Sequence, residues 1–144
     1  MIAVSSCIAG IKCRYNGKDS YNPPLIESIK GNYIVICPEI LAGLSSPRTP
    51  CEIIGGSGED VLKGIARIID KNGVDITEPM IQGAKQALQI CLENNIAKAY
   101  LQSKSPTCGC GKIYDGSFSN TLKPGNGIFA SLLIQHGIEV IEIL

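Results

Sequence analysis

Residues 77–102, TEPMIQGAKQALQICLENNIAKAYLQ, predict a helix that leads directly into a buried strand. Thr77 is a good N-cap for this helix, because its side-chain oxygen can accept a backbone N–H of the first turn. An apolar stripe then recurs at helical spacing, and it consists of Ile81, Ala84, Ala87, Leu88, Cys91 and Leu92. The pattern predicts a helix over residues 78–94 and a strand at about residues 97–102.

Shorter apolar runs continue the same alternation of strand and helix on both sides of this stretch. We expect further strands at residues 2–6, 33–37 and 138–143, and helices at residues 23–30 and 127–136. The strand cores are apolar throughout rather than alternating, which is typical of a parallel sheet covered by helices on both faces. The sequence therefore predicts an α/β protein with a Rossmann-like three-layer fold and a mostly parallel sheet.

The segments between these elements predict loops and a single domain. Residues 41–58 and 103–126 are rich in Gly, Ser and Pro, so we expect two long functional loops. Asn72-Gly73 predicts a hairpin turn between the apolar run that ends at Ile69 and the chain from Val74. With 144 residues, the chain has the usual length of one domain, so residues 1–144 are expected to form one unit.

Composition and charge exclude several classes of protein. The chain has thirteen basic and thirteen acidic residues, no Trp and 5% aromatic residues. This composition does not suit extended nucleic-acid binding, which needs a basic surface and stacking side chains. No apolar run approaches the ~18 residues that a membrane span requires. The first ten residues, MIAVSSCIAG, lack a basic start and predict a strand rather than a signal peptide, so we expect a cytoplasmic protein.

Three of the seven cysteines follow predicted strands. Cys7 comes after the first strand, Cys37 after the second, and Cys108 a few residues after the third. The carboxyl ends of parallel strands line the same crevice, which is where open α/β sheets bind their ligands. In a reducing compartment cysteines more often bind metals or catalyse reactions than form disulfides. We therefore expect these three thiols to converge on one site.

Three converging thiols leave several types of site open. A structural zinc site usually has four ligands, often arranged as C-x-x-C, and the sequence has no such pair. Its close pairs are instead Cys7 with Cys13 and Cys108 with Cys110. Soft thiolates otherwise select iron–sulfur clusters or Cu(I). A cluster, a zinc site and plain buried or redox-active cysteines all remain possible on spacing alone.

Three longer motifs carry a resemblance to a known family. They are SSCIAGIKCRYNG at residues 5–17, CPEILAGLSSPR at residues 37–48 and SKSPTCGCGKIYDGSFS at residues 103–119. In order and spacing they resemble the S-A-C-L-L-G…C-R-Y-D-G, C-P-E-x-x-x-G-L-x-x-P-R and S-P-S-C-G…I-Y-D-G-T-F-S motifs of the thiouracil desulfurase family. The similarity extends over essentially the whole chain.

The resemblance implies a 4Fe–4S cluster that is held by three cysteines and removes sulfur from a thiolated pyrimidine without net redox change. The expected cluster ligands are Cys7, Cys37 and Cys108. Glu39, the carboxylate nearest to a ligand in sequence, is the expected base that takes a proton from water. Ser105 is the first choice, and Ser103 the second, for a hydroxyl that hydrogen-bonds the ring or relays a proton.

Each of these roles has a structural alternative. Glu39 has Arg48 as an alternative partner in an ion pair that holds the loop. Ser105 precedes Pro106 and is therefore also a candidate turn residue. Three further residues are interpreted as structural, with Cys91 in the core, Cys13 in a supporting role and His136 capping the last helix.

Two other functions remain for the protein as a whole. A cysteine-based redox or sulfur-carrier protein would use Cys108 with Cys110 as a reactive pair, and a structural metal-binding module would need no carboxylate base. The zero net charge favours a small thiolated base or nucleoside as substrate over an extended nucleic acid.

Overall fold

The computed structural model describes all 144 residues. Its strands are β1 (Ile2–Ser5), β2 (Tyr33–Ile36), β3 (Cys51–Ile54), β4 (Arg67–Asp70), β5 (Lys98–Gln102), β6 (Lys112–Tyr114), β7 (Leu122–Pro124) and β8 (Glu139–Ile143). Its helices are α1 (Pro23–Ser28), α2 (Pro38–Leu41), α3 (Gly58–Leu62), α4 (Thr77–Glu93) and α5 (Ile128–Gln135). None of these helices has the length and apolar character needed to cross a membrane.

Four parallel strands form the central sheet, in the order β2-β1-β5-β8. All four were predicted, and their ends differ from the predicted ends by one residue or less. Because the strands are parallel, the segments that leave β1, β2 and β5 start from the same edge of the sheet. The prediction of an α/β protein with a mostly parallel sheet is confirmed.

The two faces of the sheet are covered unequally. The larger core packs α4 and α5 against one face and includes Ala3, Ile36, Ala99, Leu101, Phe129 and Leu133. A smaller cluster of Val4, Cys7, Ile8, Cys13 and Ile29 lies on the other side, next to α1. Two of the expected thiols, Cys7 and Cys108, thus belong to different hydrophobic clusters and are anchored separately.

The start of α4 differs from the prediction by one residue. Thr77 is the first helical residue and not the N-cap, which is Ile76. Its hydroxyl instead accepts the backbone N–H of Ile68 at 2.8 Å. The carboxylate of Asp75 accepts the backbone N–H of Thr77 at 2.9 Å and so takes over the capping role. These contacts connect the beginning of α4 to β4.

Both segments that were predicted as long loops contain short strands that form antiparallel pairs, β3 in the first and both β6 and β7 in the second. β3 pairs with β4, and β6 pairs with β7. The Asn-Gly turn forms, since the N–H of Gly73 donates to the carbonyl of Asp70 at 2.9 Å. The chain also pairs across this turn as predicted: Ile69 bridges Asp75, and the N–H groups of Asp70 and Ile76 donate to the carbonyls of Val74 and Ile68, both at 2.9 Å. β4 pairs with β3 as well, and this second pairing was not predicted. Strands of three or four residues are too short to produce a clear alternation.

Three chain segments meet through backbone alone at the start of α5. A Cβ added to Gly127 would lie 2.4 Å from the carbonyl oxygen of Thr107. A Cβ added to Gly58 would lie 2.5 Å from the carbonyl carbon of Gly127. These two glycines therefore allow α3, α5 and the loop before Cys108 to pack in direct contact.

Candidate functional site

A cavity of about 620 Å³ opens at the carboxyl edge of the central sheet. All six residues that were predicted for the site line it, namely Cys7, Cys37, Glu39, Ser103, Ser105 and Cys108. Two further thiols, Cys13 and Cys51, also line the cavity. The expectation that separate strands deliver their thiols to one crevice agrees with this geometry.

Each of the three expected thiols is placed by the segment that follows its strand. Cys7 lies in a single 3-10 turn, Ser6–Ala9, directly after β1. Cys37 follows β2 and is the N-cap residue of α2. Cys108 lies in the loop after β5, where its backbone N–H donates to the hydroxyl of Ser105 at 2.7 Å. The side chain of Ser105 thus closes a tight turn around Cys108, as the structural alternative for this serine predicted.

Cys13 belongs to the same group of thiols, which the sequence interpretation had not placed in the site. It is buried and lines the cavity together with Cys37 and Cys7. Interaction with the Cys37 thiol lowers the pKa of Cys13, but the Cys7 thiol, burial and nearby negative charge outweigh it and raise this pKa to about 11. A left-handed turn at Gly10, with φ of 94°, helps to bring Cys13 back beside Cys7.

Three other cavity thiols, those of Cys37, Cys108 and Cys51, also resist ionisation. Interaction with the Cys13 thiol, followed by burial and the charge of Glu39, raises the pKa of Cys37. Burial is the main cause that raises the pKa of Cys108 well above its usual range, with Glu39 and Cys37 adding to it. Burial likewise raises the pKa of Cys51 to about 12. All these thiols are therefore protonated at neutral pH, and metal binding would have to release the protons of those that become ligands.

The arrangement of the thiols does not support a site for a single zinc ion. No group of three or more His, Cys, Asp or Glu side chains is placed to hold one metal ion. A tetrahedral zinc site needs its donor atoms within about 2.3 Å of one point. Thiols that share a cavity without converging on one point suit a larger group.

Glu39 is held by contacts from three sides. The Nη2 atom of Arg48 lies 3.3 Å from its Oε2, and the two side chains are only 12% and 16% exposed. The thiol of Cys37 donates to the same oxygen at 3.8 Å. The hydroxyl of Thr107 donates to the other oxygen, Oε1. The ion pair with Arg48 is present as predicted, and it leaves the carboxylate inside the cavity.

Arg48 braces the loops around Glu39. Its Nη1 atom donates to the carbonyl of Cys13 at 2.9 Å and to that of Ser45 at 3.1 Å. Its backbone N–H donates to the carbonyl of Tyr15 at 2.6 Å. One side chain therefore connects the Cys13 segment to the carboxylate on α2.

A hairpin forms part of the cavity wall. Glu52, on β3, is buried, and its carboxylate accepts the backbone N–H groups of Gly116 at 2.9 Å and of Phe118 at 3.2 Å. These bonds hold the connection between β6 and β7 so that Phe118 and Asn120 line the cavity. Sequence reasoning had not found Glu52, because its partners lie more than sixty positions away and are backbone groups.

The remaining residues with predicted structural roles lie outside the cavity lining. Cys91 is fully buried in the large core, and burial raises its pKa to about 11. His136 is the C-cap residue of α5, with its Nδ1 atom 2.8 Å from the carbonyl oxygen of Leu132. Cys110 is also absent from the residues that line the cavity, although it is close to Cys108 in sequence.

Comparison with known proteins identifies the family of the chain. A model of the 2-thiouracil desulfurase family matches residues 2–143. The Bacillus subtilis (strain 168) protein YbbK, described as uncharacterized, is 45% identical over 143 residues, covering 99% of this chain and 95% of that protein. The solved structure of the [4Fe–4S]-dependent thiouracil desulfidase TudS superimposes with a TM-score of 0.83 at 35% identity, covering 98% of this chain and 89% of TudS. The chain therefore belongs to the 2-thiouracil desulfurase family.

Proposed function

We propose that this protein removes the sulfur of a thiolated pyrimidine as sulfide, using a 4Fe–4S cluster bound by Cys7, Cys37 and Cys108. The observation that carries the proposal is the single cavity in which these thiols lie beside the carboxylate of Glu39. Water replaces the thiocarbonyl sulfur by oxygen, so one water is consumed, one hydrogen sulfide is released and no electrons are transferred. Membership of the family and the similarity to TudS support both the reaction and the cofactor.

The donor set of the cavity fits an iron–sulfur cluster. Its candidate ligands are mainly soft thiols, and the only histidine of the chain, His136, lies outside the cavity lining. Thiolate sulfur is the usual protein ligand of such clusters. When bound on three cysteines, the cluster supplies one iron without a protein ligand, which is a soft Lewis acid for the thiocarbonyl sulfur.

Glu39 has the position of a general base. Its carboxylate lies in the cavity next to the Cys37 thiol, where it can take a proton from a water molecule that attacks the ring carbon. The ion pair with Arg48 and the hydrogen bond from Thr107 fix the orientation of this carboxylate. We propose that both residues position Glu39.

The hydroxyl groups next to Glu39 form a hydrogen-bonded chain in which each donor points towards the carboxylate. An ionised carboxylate only accepts, so Thr107 donates its single hydroxyl hydrogen to Glu39. Ser105 must then donate to Thr107 across 3.1 Å, while it accepts the backbone N–H of Cys108. We propose that, after Glu39 takes a proton from water, Thr107 and Ser105 reverse their donor direction and relay this proton towards the departing sulfide. Ser103 also lines the cavity and is proposed to hydrogen-bond the substrate.

The geometry gives less support to a redox or sulfur-carrier protein. Such a protein needs a reactive thiolate, whereas burial raises the pKa of Cys108 well above its usual range. Its proposed partner, Cys110, is absent from the residues lining the cavity. A merely structural metal module does not account for a braced carboxylate that faces the same cavity.

The size and charge of the substrate and the location of the reaction are also part of the proposal. A free thiolated base or nucleoside suits a cavity of about 620 Å³ in a chain with zero net charge. We propose the cytoplasm as the location, since reducing compartments preserve free thiols and all seven cysteines are unpaired.

Anaerobic reconstitution followed by a turnover assay tests the proposed function. The purified chain is loaded with iron and sulfide, and its absorption spectrum and iron content are measured. Reconstituted protein is then incubated with 2-thiouracil and 4-thiouracil, while uracil and sulfide are quantified. The proposal predicts a brown protein with about four irons per chain and equal amounts of uracil and sulfide. A fully loaded protein that leaves every thiolated pyrimidine unchanged would refute it.

Cysteine variants test the proposed ligands. Changing Cys7, Cys37 or Cys108 to Ser should abolish stable iron binding, whereas Cys91→Ser and Cys110→Ser should retain it. Cys13→Ser decides whether the fourth buried thiol is also a ligand, and the proposed set predicts that this variant keeps its iron. If Cys13→Ser loses the cluster while Cys7→Ser keeps it, Cys13 replaces Cys7 in the ligand set.

A further inference from the structure

The amide of Gln102 contains an unusual acceptor. Its Oε1 atom is the only buried side-chain nitrogen or oxygen atom in the protein without a hydrogen-bond partner. Buried polar groups are almost always paired, because an unpaired one loses its hydration without compensation. Gln102 also lines the cavity that contains the thiols. The unpaired oxygen therefore lies where a bound molecule can supply the missing donor.

The backbone around Gln102 is held firmly in place. Gln102 ends β5 and pairs with Ile143 of β8. Its backbone N–H donates to the hydroxyl of Ser5, the last residue of β1, at 3.0 Å. Gln102 is thus held by the two neighbouring strands, and it lines the same cavity as the proposed cluster ligands.

A thiolated pyrimidine offers a donor at the matching place. In a uracil-type ring N3–H lies between C2 and C4, so it flanks the thiocarbonyl whether the sulfur is on C2 or on C4. We propose that the side-chain carbonyl of Gln102 accepts N3–H of the substrate and thereby selects rings that carry this hydrogen. The inference rests on the proposed function and adds a specificity-determining residue to it.

A cycle of two enzymes and two substrates tests this hydrogen bond. The enzymes are the wild type and Gln102→Met, which keeps the length of the side chain but removes the acceptor. The substrates are 2-thiouracil and 3-methyl-2-thiouracil, which lacks the N3 hydrogen. In the wild type, methylation should reduce kcat/KM by roughly 10- to 100-fold, mostly through KM, because the Oε1 atom of Gln102 loses its N3–H donor. In Gln102→Met, 2-thiouracil should lose a similar factor, and methylation should then cost less than about threefold.

Two more variants separate the proposed role from a general effect on the cavity. Gln102→Glu keeps a carbonyl-type acceptor at the same place and should restore discrimination against the methylated ring. Gln86→Met makes the same substitution on the exposed face of α4, outside the cavity lining, and should leave the discrimination unchanged. Equal discrimination by the wild type and Gln102→Met would overturn the inference, since the Oε1 atom would then bind only water.

A binding measurement keeps this inference separate from the proposed function. Uracil, the expected product, retains N3–H and can be titrated into the cluster-loaded proteins by calorimetry. Gln102→Met should bind uracil at least about tenfold more weakly than the wild type does. If the wild type desulfurises no substrate but this difference is found, only the proposed reaction fails. Equal affinities, or no binding of uracil to the wild type, overturn the role of Gln102.

Discussion

Glu39 shows how several weak contacts can fix one functional group. Its two oxygens are divided between the hydroxyl of Thr107 on one side and Arg48 with Cys37 on the other. All three partners donate to the carboxylate. In Glu39→Gln the amide oxygen can still accept from Arg48 and Cys37, while the amide nitrogen faces Thr107, whose hydroxyl can rotate to accept. A substitution at this residue can therefore remove the catalytic base without removing the contacts that hold the site together.

We expect Glu39→Gln to retain the fold and the cluster but to lose catalysis. The amide is nearly isosteric with the carboxylate but cannot take a proton from water. Turnover of 2-thiouracil should fall by ~10²–10⁴, the usual contribution of a positioned general base. Iron content, melting temperature and kcat are measured together, with the exposed Glu27→Gln on α1 as the control. Wild-type turnover at full iron content would exclude Glu39 as the base.

Thr107 should act through Glu39 rather than on the substrate. Thr107→Val removes the hydroxyl at constant shape, so the carboxylate loses a buried donor. Hydrogen bonds to charged groups contribute about 1.5–3 kcal/mol, which corresponds to a fall in kcat of roughly 10- to 100-fold. We expect unchanged iron content, little change in KM and recovery in Thr107→Ser, which keeps the hydroxyl. A large rise in KM with constant kcat would instead indicate a direct contact with the substrate.

The sequence could predict some residues of the site and not others, for a physical reason. Cys7, Cys37 and Glu39 follow parallel strands directly, and strand ends share one edge, so their convergence could be inferred. Cys13 reaches the cavity through an irregular turn that no periodic pattern records. Thr107 belongs to the site only through its hydrogen bond to Glu39, which lies 68 positions away in the sequence. Contacts between loops of this kind depend on the complete fold.

At the scale of elements, the short helix α2 connects the sheet to the site. It has only four residues, yet Cys37 precedes it and Glu39 lies in its first turn. Its stability comes from packing against α4 and not from its own length, since isolated helices this short do not form. No apolar period could therefore predict α2, whereas the seventeen residues of α4 produced a clear one.

Gly83→Ala should disturb the site from a distance. Ala normally stabilises a helix interior by about 1 kcal/mol relative to Gly. Here the added Cβ would lie 2.3 Å from the carbonyl oxygen of Pro38 and 2.7 Å from the backbone nitrogen of Ala42, so α2 must move. We expect a lower melting temperature, faster loss of iron to a chelator and reduced turnover.

Gln82→Ala is the matched control for this substitution. It places the same residue, Ala, at the neighbouring, exposed position of α4, where the side chain does not face α2. It should leave iron retention unchanged. Equal rates of iron loss in the two variants would show that the contact between α4 and α2 does not hold the site in place.

At the scale of the whole molecule, the proposed ligands come from three separate segments of the chain. The central sheet could be predicted because its strands are uniformly apolar. The two hairpins could not, because β3, β4, β6 and β7 are short and find their partners through tertiary packing. The cavity lies between these two parts of the structure, so a ligand bound there would connect the sheet to the hairpins.

Removal of iron should therefore lower the stability of the entire protein. Binding to the folded state alone adds its free energy to that of folding. We expect a lower anaerobic melting temperature after chelation, and this difference should shrink as the pH falls from 8 to 6. The direction of this pH dependence follows from the thiol pKa values, which are raised above 9 at Cys37 and Cys108. These thiols are protonated throughout that range, so acid opposes the thiolates that iron requires. A difference that grows in acid would contradict the proposed ligation.

The backbone contact among Gly58, Gly127 and Thr107 has a consequence for directed evolution. No side chain separates the three segments there, so no neighbouring substitution can make room for a larger residue. A library designed to widen substrate range should leave both glycines constant and diversify residues that line the cavity. Tyr15 and Phe118 line the cavity through partly exposed side chains, which makes them suitable positions for randomisation.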